Sequence, residues 1–229
     1  MPHSSTDSGH DTRTRLLEAA VLCFAEKGFE GTGIREIAQR AQANSALVQY
    51  HFGGKEGLYE HAFRFLVAQK HSLVAALPPI PEPGTPGAHE LAVQGLQDHV
   101  SALFHELMEG TCAPHGGELE RAAGLLWSRE TQDPRPGLKA FLPDLFQPYV
   151  DHLEGCLKVL CPHLDAERRF ECGMAIHGMA MFYRTHLGIA RAMRQDPEYP
   201  RDLDRITRHL VEFTFRGLGL ACPPGCQGA

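Results

Sequence analysis

Apolar residues recur at helical spacing along most of the chain, and no stretch of useful length alternates as a strand does. The clearest pattern lies between residues 32 and 58. Its first apolar face follows the i, i+3, i+4, i+7 spacing and consists of Ile34, Ile37, Ala38 and Ala41. A turn at residues 42–43 separates this face from a second short helix, predicted over residues 45–51 and anchored by Leu47 and Val48. Two helices at this spacing form a helix-turn-helix, whose second helix enters the DNA major groove.

The sequence also predicts how these two helices begin. Gly33 stands at the N-cap of the first helix, and Glu36 can reach back to the N-cap amide, which is half of a capping box. Asn44 is a favoured N-cap residue for the second helix. The glycine pair at residues 53–54 then breaks the chain before a longer helix, which is predicted over residues 55–77.

The rest of the chain reads as further helices, so the predicted fold class is all-α. Proline and glycine clusters mark the loops at residues 78–87, 133–137 and 196–200. We expect Pro143 and Pro148 to kink or divide the helix that contains them. The remaining predicted helices span residues 12–27, 88–109, 118–132, 138–160, 166–195 and 202–219.

Composition places the chain among ordinary globular proteins. Its 229 residues are 43% hydrophobic and 22% charged, with no run of 18 apolar residues and no apolar signal segment at the N-terminus. We therefore expect a cytoplasmic protein. Residues 1–75 hold 8 Lys and Arg against 8 Asp and Glu, and residues 76–229 hold 14 against 20, so the net charge of −6 lies entirely in the second part. An acidic second part would keep away from DNA.

The end of the helix-turn-helix carries a family resemblance. The string from Tyr50 to Leu58, YHFGGKEGL, resembles the last nine positions of the YxHFxxKExL signature of TetR-family transcriptional regulators. The preceding stretch, from Leu16 through Phe24, Gly28-Phe29 and residues 34–38, is similar to the rest of that family's DNA-binding domain. Two residues depart from the family pattern. Gln42 stands where the family usually has a turn glycine, and Gly33 stands where Ser or Thr often caps.

The resemblance implies two sets of DNA-binding residues. The positions that face base edges in the family are occupied here by Arg35, Ser45, Ala46, Leu47 and Gln49. Arginine suits the O6 and N7 atoms of guanine, and glutamine suits adenine. The positions that contact phosphates are occupied by Thr32, Tyr50, His51 and Lys55. Lys55 also begins a predicted helix, where backbone N–H groups favour an anion, and Arg40 adds a positive charge beside the motif.

The second half resembles the ligand domain of a CecR-like branch of the TetR family. The features that carry this resemblance are Leu126 to Glu130, the proline-interrupted helix after it, and Ile176-His177-Gly178. The resemblance implies an effector pocket for an apolar or aromatic molecule with one polar handle. The residues expected to line it are Trp127, Arg129, Phe141, Phe146, Met174, His177 and Met181.

Together these features predict an N-terminal three-helix helix-turn-helix DNA-binding domain followed by a helical ligand-binding and dimerisation domain. The expected segments are a disordered N-terminus (1–10), the DNA-binding domain (11–54), a connecting helix (55–77), the effector-binding and dimerisation domain (78–220) and a flexible tail (221–229). The connecting helix is expected to act as a rigid rod between the two sites.

Specific recognition needs more base contacts than one helix can supply, so we expect a two-fold homodimer on a palindromic operator. The expected interface is formed by the last two helices. Close helix approach is expected at Gly173, Gly178, Ala180 and Gly188, and apolar area is expected from Leu203, Ile206, Leu210 and Phe213.

Other chemistries find weak support. His105 to Glu109 misses the HExxH zinc motif at its last position, and neither G-x-S-x-G nor a P-loop occurs. The sequence therefore predicts neither an enzyme nor a bound cofactor or metal. The main prediction is a DNA-binding transcriptional regulator, a repressor that a small apolar or aromatic effector releases from its operator. Two alternatives stay open beside it. One is a metal- or thiol-responsive regulator that uses Cys156, Cys161, Cys172, Cys222 and Cys226, and the other is an all-α enzyme or binding protein whose helix-turn-helix serves as scaffold.

Overall fold

The computed structural model describes residues 5–68, 73–108 and 117–224. All regular elements within these ranges are helices, which confirms the predicted fold class. The elements are α1 (Ser5–Gly31), α2 (Ile34–Arg40), α3 (Ala46–Phe52), α4 (Lys55–Ala68), α5 (Ala88–Met108), α6 (Glu118–Gln132), α7 (Pro136–Lys139), α8 (Leu142–Leu160), α9 (Ala166–Arg194) and α10 (Leu203–Gly217).

The described residues divide into two compact units. The first contains residues 5–68 and 117–142, so α6 and α7 pack with the helix-turn-helix and α4. Helix α1 lies at its centre and contacts α2, α4 and α6. Its core is formed by buried residues of α1, α2, α3, α4 and α6, among them Leu16, Phe24, Ile37, Val48, Leu58, Phe63 and Leu126.

The predicted domain boundary near Pro78 placed α6 in the second domain. The structure corrects this, because α6 belongs to the first unit. Ala122 and Leu126 form the buried face of α6. A hydrogen bond of 2.9 Å from Arg129 to the carbonyl of Phe24 ties the same helix to α1. The helix over residues 118–132 was predicted, but the apolar face of a helix does not by itself indicate which neighbouring helix covers it.

The second unit contains residues 73–108 and 143–224. Helix α5 contacts both α9 and α10 there. Its hydrophobic core draws on α5, α8, α9 and α10, with Leu96, Phe104, Leu157, Ile176, Leu210 and Phe215 among its buried members. The side chains of Asp165 and Asp202 cap α9 and α10 by accepting hydrogen bonds of 2.8 Å from the amides of Arg168 and Arg205.

Several helix ends differ from the prediction. Helix α1 begins at Ser5, inside the segment expected to be disordered, because extending a formed helix costs little and Ser, Thr and Asp suit its N-terminus. Helix α4 ends at Ala68, and residues 73–76 form turns instead of the last part of a rod to Leu77. The turn buries Val74 in the core of the second unit, and Leu77 precedes a proline, which disfavours helix there.

The prolines of α8 also act differently from the prediction. Pro143 lies in the first turn, where a missing amide costs nothing, and Pro148 lies within a helix that continues to Leu160. At the other end of the chain, Cys222 packs against the second core and Pro223 is buried. The start of the expected flexible tail is therefore held in place, and residues 225–229 lie outside the described residues.

The exposed apolar residues of the second unit concentrate on α9 and α10. Six of them lie there, each more than half exposed: Phe170, Met174, Phe182, Ile189 and Met193 on α9 and Phe213 on α10. The others in the described part of this unit are Leu73, Leu91 and Val150. Four residues expected to supply a dimer interface differ from this set: Ala180, Ile206 and Leu210 are buried in the core, and Leu203 packs against it. A β-carbon added at Gly178 or Gly188 would meet no neighbouring atom, and one added at Gly173 would meet Leu153.

Candidate nucleic-acid interface

Helix α3 is held by one face and displays the other. Val48 and Phe52, four residues apart, have exposed fractions of 0% and 5%. The ring of Phe52 packs between His61 of α4, at 5.5 Å, and the Arg13 guanidinium of α1, at 5.4 Å. The opposite face carries Ser45, Ala46, Gln49 and Tyr50, all exposed. This is the arrangement that a recognition helix requires, because base edges are read by side chains that the core does not use.

The turn before α3 is closed by local hydrogen bonds. The side-chain oxygen of Asn44 accepts from the amide of Ala46 at 2.9 Å, which confirms its predicted capping role. Gln42 has φ of 51°, in the left-handed region that favours glycine. This conformation explains why a glycine suits the position. The predicted half capping box at Gly33 is wrong, because the Glu36 carboxylate binds the ammonium of Lys27 instead.

The junction of α3 and α4 is unusually tight. Gly53 and Gly54 have φ of 73° and 125°, which only glycine adopts readily. One turn later, a β-carbon on Gly57 would lie 1.8 Å from the carbonyl oxygen of Phe52. The first turn of α4 therefore touches the backbone of α3, and this contact fixes the angle between the two helices.

The residues predicted to face base edges lie on the accessible side of this element. Arg35, Ser45, Ala46 and Gln49 are exposed, and Leu47 is half-buried beside the anchor residue Val48. They are brought together on α2 and α3 of one unit. Their contacts with bases stay predictions.

Of the side chains predicted to contact phosphates, some are accessible to DNA and one is buried. Tyr50 is 81% exposed and its ring packs edge-on against His51, at 4.9 Å. Lys55 is half-buried, with its ammonium 4.5 Å from the centre of the Phe29 ring. Thr32 differs from the prediction. Its side chain is buried, and its hydroxyl lies 2.7 Å from the carbonyl of Gly28 and 3.0 Å from that of Cys23, so it closes the end of α1.

Arg40 also has a structural role. Its guanidinium pairs with Glu26 of α1 at 2.7 Å and with Glu118 of α6 at 2.9 Å. The hydrogen bond from Arg40 to Glu26 raises the pKa of Arg40. The positive charge expected beside the motif is therefore neutralised by two carboxylates, and Arg35 and Lys55 remain the accessible cations of α2 and α4 nearest to α3.

A cavity of about 420 Å³ lies in the first unit, beside the end of α1. Its buried polar centre is Glu130, which accepts from the Tyr59 hydroxyl and, at 2.9 Å, from the backbone amide of Arg135. Burial, followed by the bond to Glu130, raises the pKa of Tyr59. The lining includes Arg129, which is the only predicted pocket residue there, together with Gly28, Phe29, Asp133, Pro134, Arg135, Pro136 and Lys139.

The predicted effector-pocket residues fall into both units. In the first, Trp127 stacks on Phe63 at 5.7 Å, and Phe141 lies under the Arg64 guanidinium at 4.1 Å. In the second, Phe146 and Met181 are half-buried and His177 lies beside the ring of Tyr149, at 6.2 Å. Met174 contradicts the prediction, because it is 59% exposed on the outer side of α9. Trp127, Arg129 and Phe141 therefore do not belong to the unit that contains the other four.

His177 has two buried histidine partners that were not predicted from the sequence. His99 of α5 is fully buried and His152 of α8 is 8% exposed. The ring of His99 lies 5.4 Å from each of the other two. Burial lowers the pKa of His99 to about 3, with His177 and His152 adding to the effect. The signal was present in the sequence, since His99 shares the apolar face of Leu96, Val100 and Leu103.

Three of the five described cysteines do not have the environment of a sensor thiol. Cys23, Cys156 and Cys161 are buried, and burial raises the pKa of each thiol, to about 12 for Cys156. A reactive thiol needs the opposite shift. No group of three or more His, Cys, Asp or Glu side chains among the residues that the structure describes is arranged to hold a metal ion, and Cys226 lies outside them.

Helix α3 is exposed on one face and held on the other by buried anchors, directly after α2. This arrangement is that of a helix-turn-helix DNA-binding protein. Residues 16–62 match the family described as bacterial regulatory proteins, tetR family, and residues 98–217 match a tetracyclin repressor-like C-terminal domain. The second match alone covers more than half of the chain, which therefore belongs to the TetR family of transcriptional regulators. The family and its named members are regulators and not enzymes. The descriptions matched do not name the CecR-like branch, which stays a prediction.

Relatives agree with this assignment. The chain is 50% identical over 50 residues to the probable HTH-type transcriptional regulator YttP of Bacillus subtilis, covering 22% of this chain and 24% of YttP. It is 33% identical over 115 residues to the HTH-type transcriptional regulatory protein RaaS of Mycobacterium tuberculosis, covering 50% of each. The chain thus spans half or less of the length of these curated relatives.

Solved structures support the fold. The hemolysin II transcriptional regulator HlyIIR aligns with a TM-score of 0.53 at 21% identity, over 88% of this chain and 97% of that one. The TetR-family regulator PfmR of Thermus thermophilus aligns with a TM-score of 0.52 at 18% identity, over 93% and 97%. Among the described residues, no helix is both long and apolar enough to cross a membrane.

Proposed function

We propose that the chain is a repressor that binds a palindromic operator as a two-fold homodimer and leaves it when a small apolar or aromatic molecule binds. The observation that carries the DNA-binding part is the exposed face of α3, formed by Ser45, Ala46, Gln49 and Tyr50, on the buried anchors Val48 and Phe52. We expect the protein in the cytoplasm, where its operator would be.

In this proposal Gln49 and Arg35 read base edges, with Ser45, Ala46 and Leu47 in the same groove. Tyr50, His51 and Lys55 hold the phosphates on either side. Lys55 is placed for this because it begins α4, whose first backbone amides also favour an anion. Its ammonium has only the Glu30 carbonyl at 3.5 Å and the face of Phe29 as described neighbours, and neither neutralises its charge.

The proposed dimer surface is the exposed apolar side of α9 together with Phe213 of α10. Its members on α9 recur every four to eight residues along one side of the helix, from Phe170 to Met193. An isolated subunit gains nothing by exposing so many large apolar side chains, so a second copy of the chain is the natural cover. Two-fold pairing would also present two copies of α3 to two half-sites.

Release by an effector follows if the ligand binds the DNA-incompetent arrangement better than the competent one. The two half-sites must lie about 34–36 Å apart, or a multiple of that distance, so a small tilt of each α3 is enough to lose register. The second unit is the proposed ligand unit, with His177, Phe146 and Met181 retained from the predicted pocket. A metal- or thiol-responsive mechanism is not favoured, because burial raises the pKa of the thiols of Cys23, Cys156 and Cys161.

Selection of bound sequences from random duplex DNA tests the proposal. We expect an inverted repeat, bound with nanomolar affinity at low salt and with affinity that falls steeply as salt rises. Recovery of no enriched sequence, or of a single unrepeated site bound by a monomer, would contradict it. The control is a Gln49→Ala, Tyr50→Ala double variant, which leaves the buried anchors intact and should enrich no sequence.

A further inference from the structure

We infer that His99, His152 and His177 form the polar end of a ligand site in the second unit, and that the site takes a neutral, largely apolar molecule carrying a hydroxyl group. Each histidine comes from a different helix: α5, α8 and α9 respectively. The inference rests on the effector-responsive function proposed above and deepens it, since it names the site and the chemical class of its ligand.

The hydrogen bonds within the cluster leave two buried ring nitrogens unsatisfied among the described residues. His99 and His152 share one bond between their Nδ1 atoms, at 3.3 Å. That bond uses one proton, so one of the two neutral rings keeps its proton at Nδ1 and the other at Nε2. Both Nε2 atoms are buried without a hydrogen-bond partner among the described residues. One of them is therefore a donor and the other an acceptor.

His177 adds a third ring to the cluster. Its Nδ1 lies 2.9 Å from the carbonyl oxygen of Gly173, so Nδ1 carries the proton and donates. The Nδ1 atoms of His99 and His152 face each other, so their orphan Nε2 atoms lie on opposite outer edges of the pair, and a ligand atom meets one of them. A hydroxyl group both donates and accepts, so it complements that nitrogen in either tautomer.

The charges around the cluster favour a neutral ligand. Burial is the main cause that lowers the pKa of all three histidines. The Pro78 carbonyl and Asp98 partly offset this lowering at His152, and the bond to Gly173 partly offsets it at His177. The imidazoles are thus uncharged at neutral pH and give a carboxylate no counter-charge. The nearby Glu106 is already bound by the Tyr149 hydroxyl and the amide of Leu73, so it is not placed to hold an ammonium.

The surroundings favour an apolar body. Ile176 and Leu153 adjoin two of the histidines in sequence and belong to the core. On the side of His152, the glycines at 95 and 155 leave a notch that Ile80 fills. A β-carbon on Gly95 would lie 2.5 Å from Cδ1 of Ile80 and 3.5 Å from Cε1 of His152. Ile80 belongs to a stretch without helix, residues 78–82, so its displacement would open the notch without breaking a helix.

Binding of three matched probes tests the inference: 4-ethylphenol, 4-ethyltoluene without the hydroxyl, and 4-ethylbenzoate with a charge. We expect the phenol to bind the full chain at least tenfold more tightly than either of the others by calorimetry. The preference should vanish in His99→Phe and persist in His163→Phe, whose histidine is exposed in the turn after α8. Equal binding of phenol and hydrocarbon, tighter binding of the benzoate, or no binding of the phenol would overturn it.

A second measurement does not depend on whether His99→Phe folds. Nitrogen-15 spectra of histidine-labelled wild-type protein should show the Nε2 signals of His99 and His152 moving when 4-ethylphenol is added, while His163 stays still. Binding with unmoved signals would place the ligand elsewhere and overturn the inference. Operator affinity is recorded separately: phenol bound at the histidines with operator affinity unchanged supports the site and refutes only its effector role.

Discussion

Gly57 and Phe52 are in contact through their backbones: a β-carbon on Gly57 would lie 1.8 Å from the carbonyl oxygen of Phe52. The contact joins the first turn of α4 to the last residue of the recognition helix. It reverses the usual effect of alanine, which stabilises a helix by about 0.5–1 kcal/mol relative to glycine. We expect Gly57→Ala to destabilise the protein by about 1–3 kcal/mol, as overpacking does, and to weaken operator binding.

Urea unfolding and operator titration measure the two effects. Gly33→Ala is the matched control, because a β-carbon at Gly33 meets nothing within 4 Å and φ is −103°. Because alanine is a poorer N-cap residue than glycine, Gly33→Ala should cost at most about 1 kcal/mol and leave the junction of α3 and α4 unchanged. A Gly57→Ala variant as stable as the wild type would show that the junction of α3 and α4 can relax.

Gln42 offers a test of strain within the turn. Its φ of 51° costs a residue with a side chain about 1–2 kcal/mol, and glycine avoids that cost but loses about 0.5–1 kcal/mol of chain entropy. We therefore expect Gln42→Gly to stabilise the protein by up to about 1 kcal/mol in urea unfolding. The same substitution at Gln39, which is exposed within α2, should destabilise it by about 1 kcal/mol. If both substitutions destabilise equally, the turn is not strained.

The turn also illustrates what the sequence could predict. Local rules were enough for the helix-turn-helix, because Ile34, Ile37, Ala38 and Ala41 and the capping Asn44 act within one or two turns of chain. They failed for Glu36, whose carboxylate binds Lys27 of α1 instead of the N-cap amide. The phosphate contact of Thr32 came from the family resemblance, and its hydroxyl instead donates to the Gly28 and Cys23 carbonyls of α1.

Assignment of α6 to the first unit could not be predicted in the same way. Ala122 and Leu126 mark its apolar face, but periodicity does not indicate which helix covers a face. The polar ties that decide it, Arg40 with Glu118 and Arg129 with the Phe24 carbonyl, join residues 78 and 105 positions apart. The histidine cluster is a similar case, because three helices must pack before His99, His152 and His177 meet.

Acid sensitivity should follow from His99. Its pKa is lowered from 6.5 in the unfolded chain to about 3 by burial, so between these values the unfolded state binds the extra proton. Stability is then fully present above pH 6.5 and falls as the pH drops towards 3. The loss amounts to at most about 1.4 kcal/mol per pH unit for each such histidine.

Urea midpoints at pH 7 and pH 5 measure this loss. His99→Leu should lose less stability over that interval than the wild type, and His163→Leu, which removes an exposed histidine, should lose the same amount as the wild type. An unchanged loss in His99→Leu would mean that other groups dominate acid unfolding.

The DNA-binding surface makes separate predictions for base and phosphate contacts. Gln49→Ala or Arg35→Ala should cost about 1–3 kcal/mol of operator affinity and relax sequence preference at particular positions. Lys55→Ala should weaken binding to all DNA sequences alike and reduce by about one the slope of log affinity against log salt concentration. Arg40→Ala is the control, since its charge is paired with Glu26 and Glu118: it should lower stability and leave the salt slope unchanged. Full affinity and selectivity in both Gln49→Ala and Arg35→Ala would refute the proposed recognition face.

The apolar side of α9 predicts the oligomeric state. Phe182 is 53% exposed and lies midway along that side, between Met174 and Ile189. A charge there would be buried against the partner copy, so Phe182→Glu should shift the protein from dimer to monomer at micromolar concentration in light scattering.

Leu91→Glu is the matched control, because Leu91 is 52% exposed in the same unit but lies on α5, outside the proposed interface. The Leu91→Glu variant should stay dimeric. The Phe182→Glu monomer should keep the helix content of the wild type, since the side chain is exposed in the subunit, and should lose operator affinity because one α3 cannot span two half-sites. A wild-type protein that is monomeric without DNA, or a Phe182→Glu variant that stays dimeric, would place the interface elsewhere.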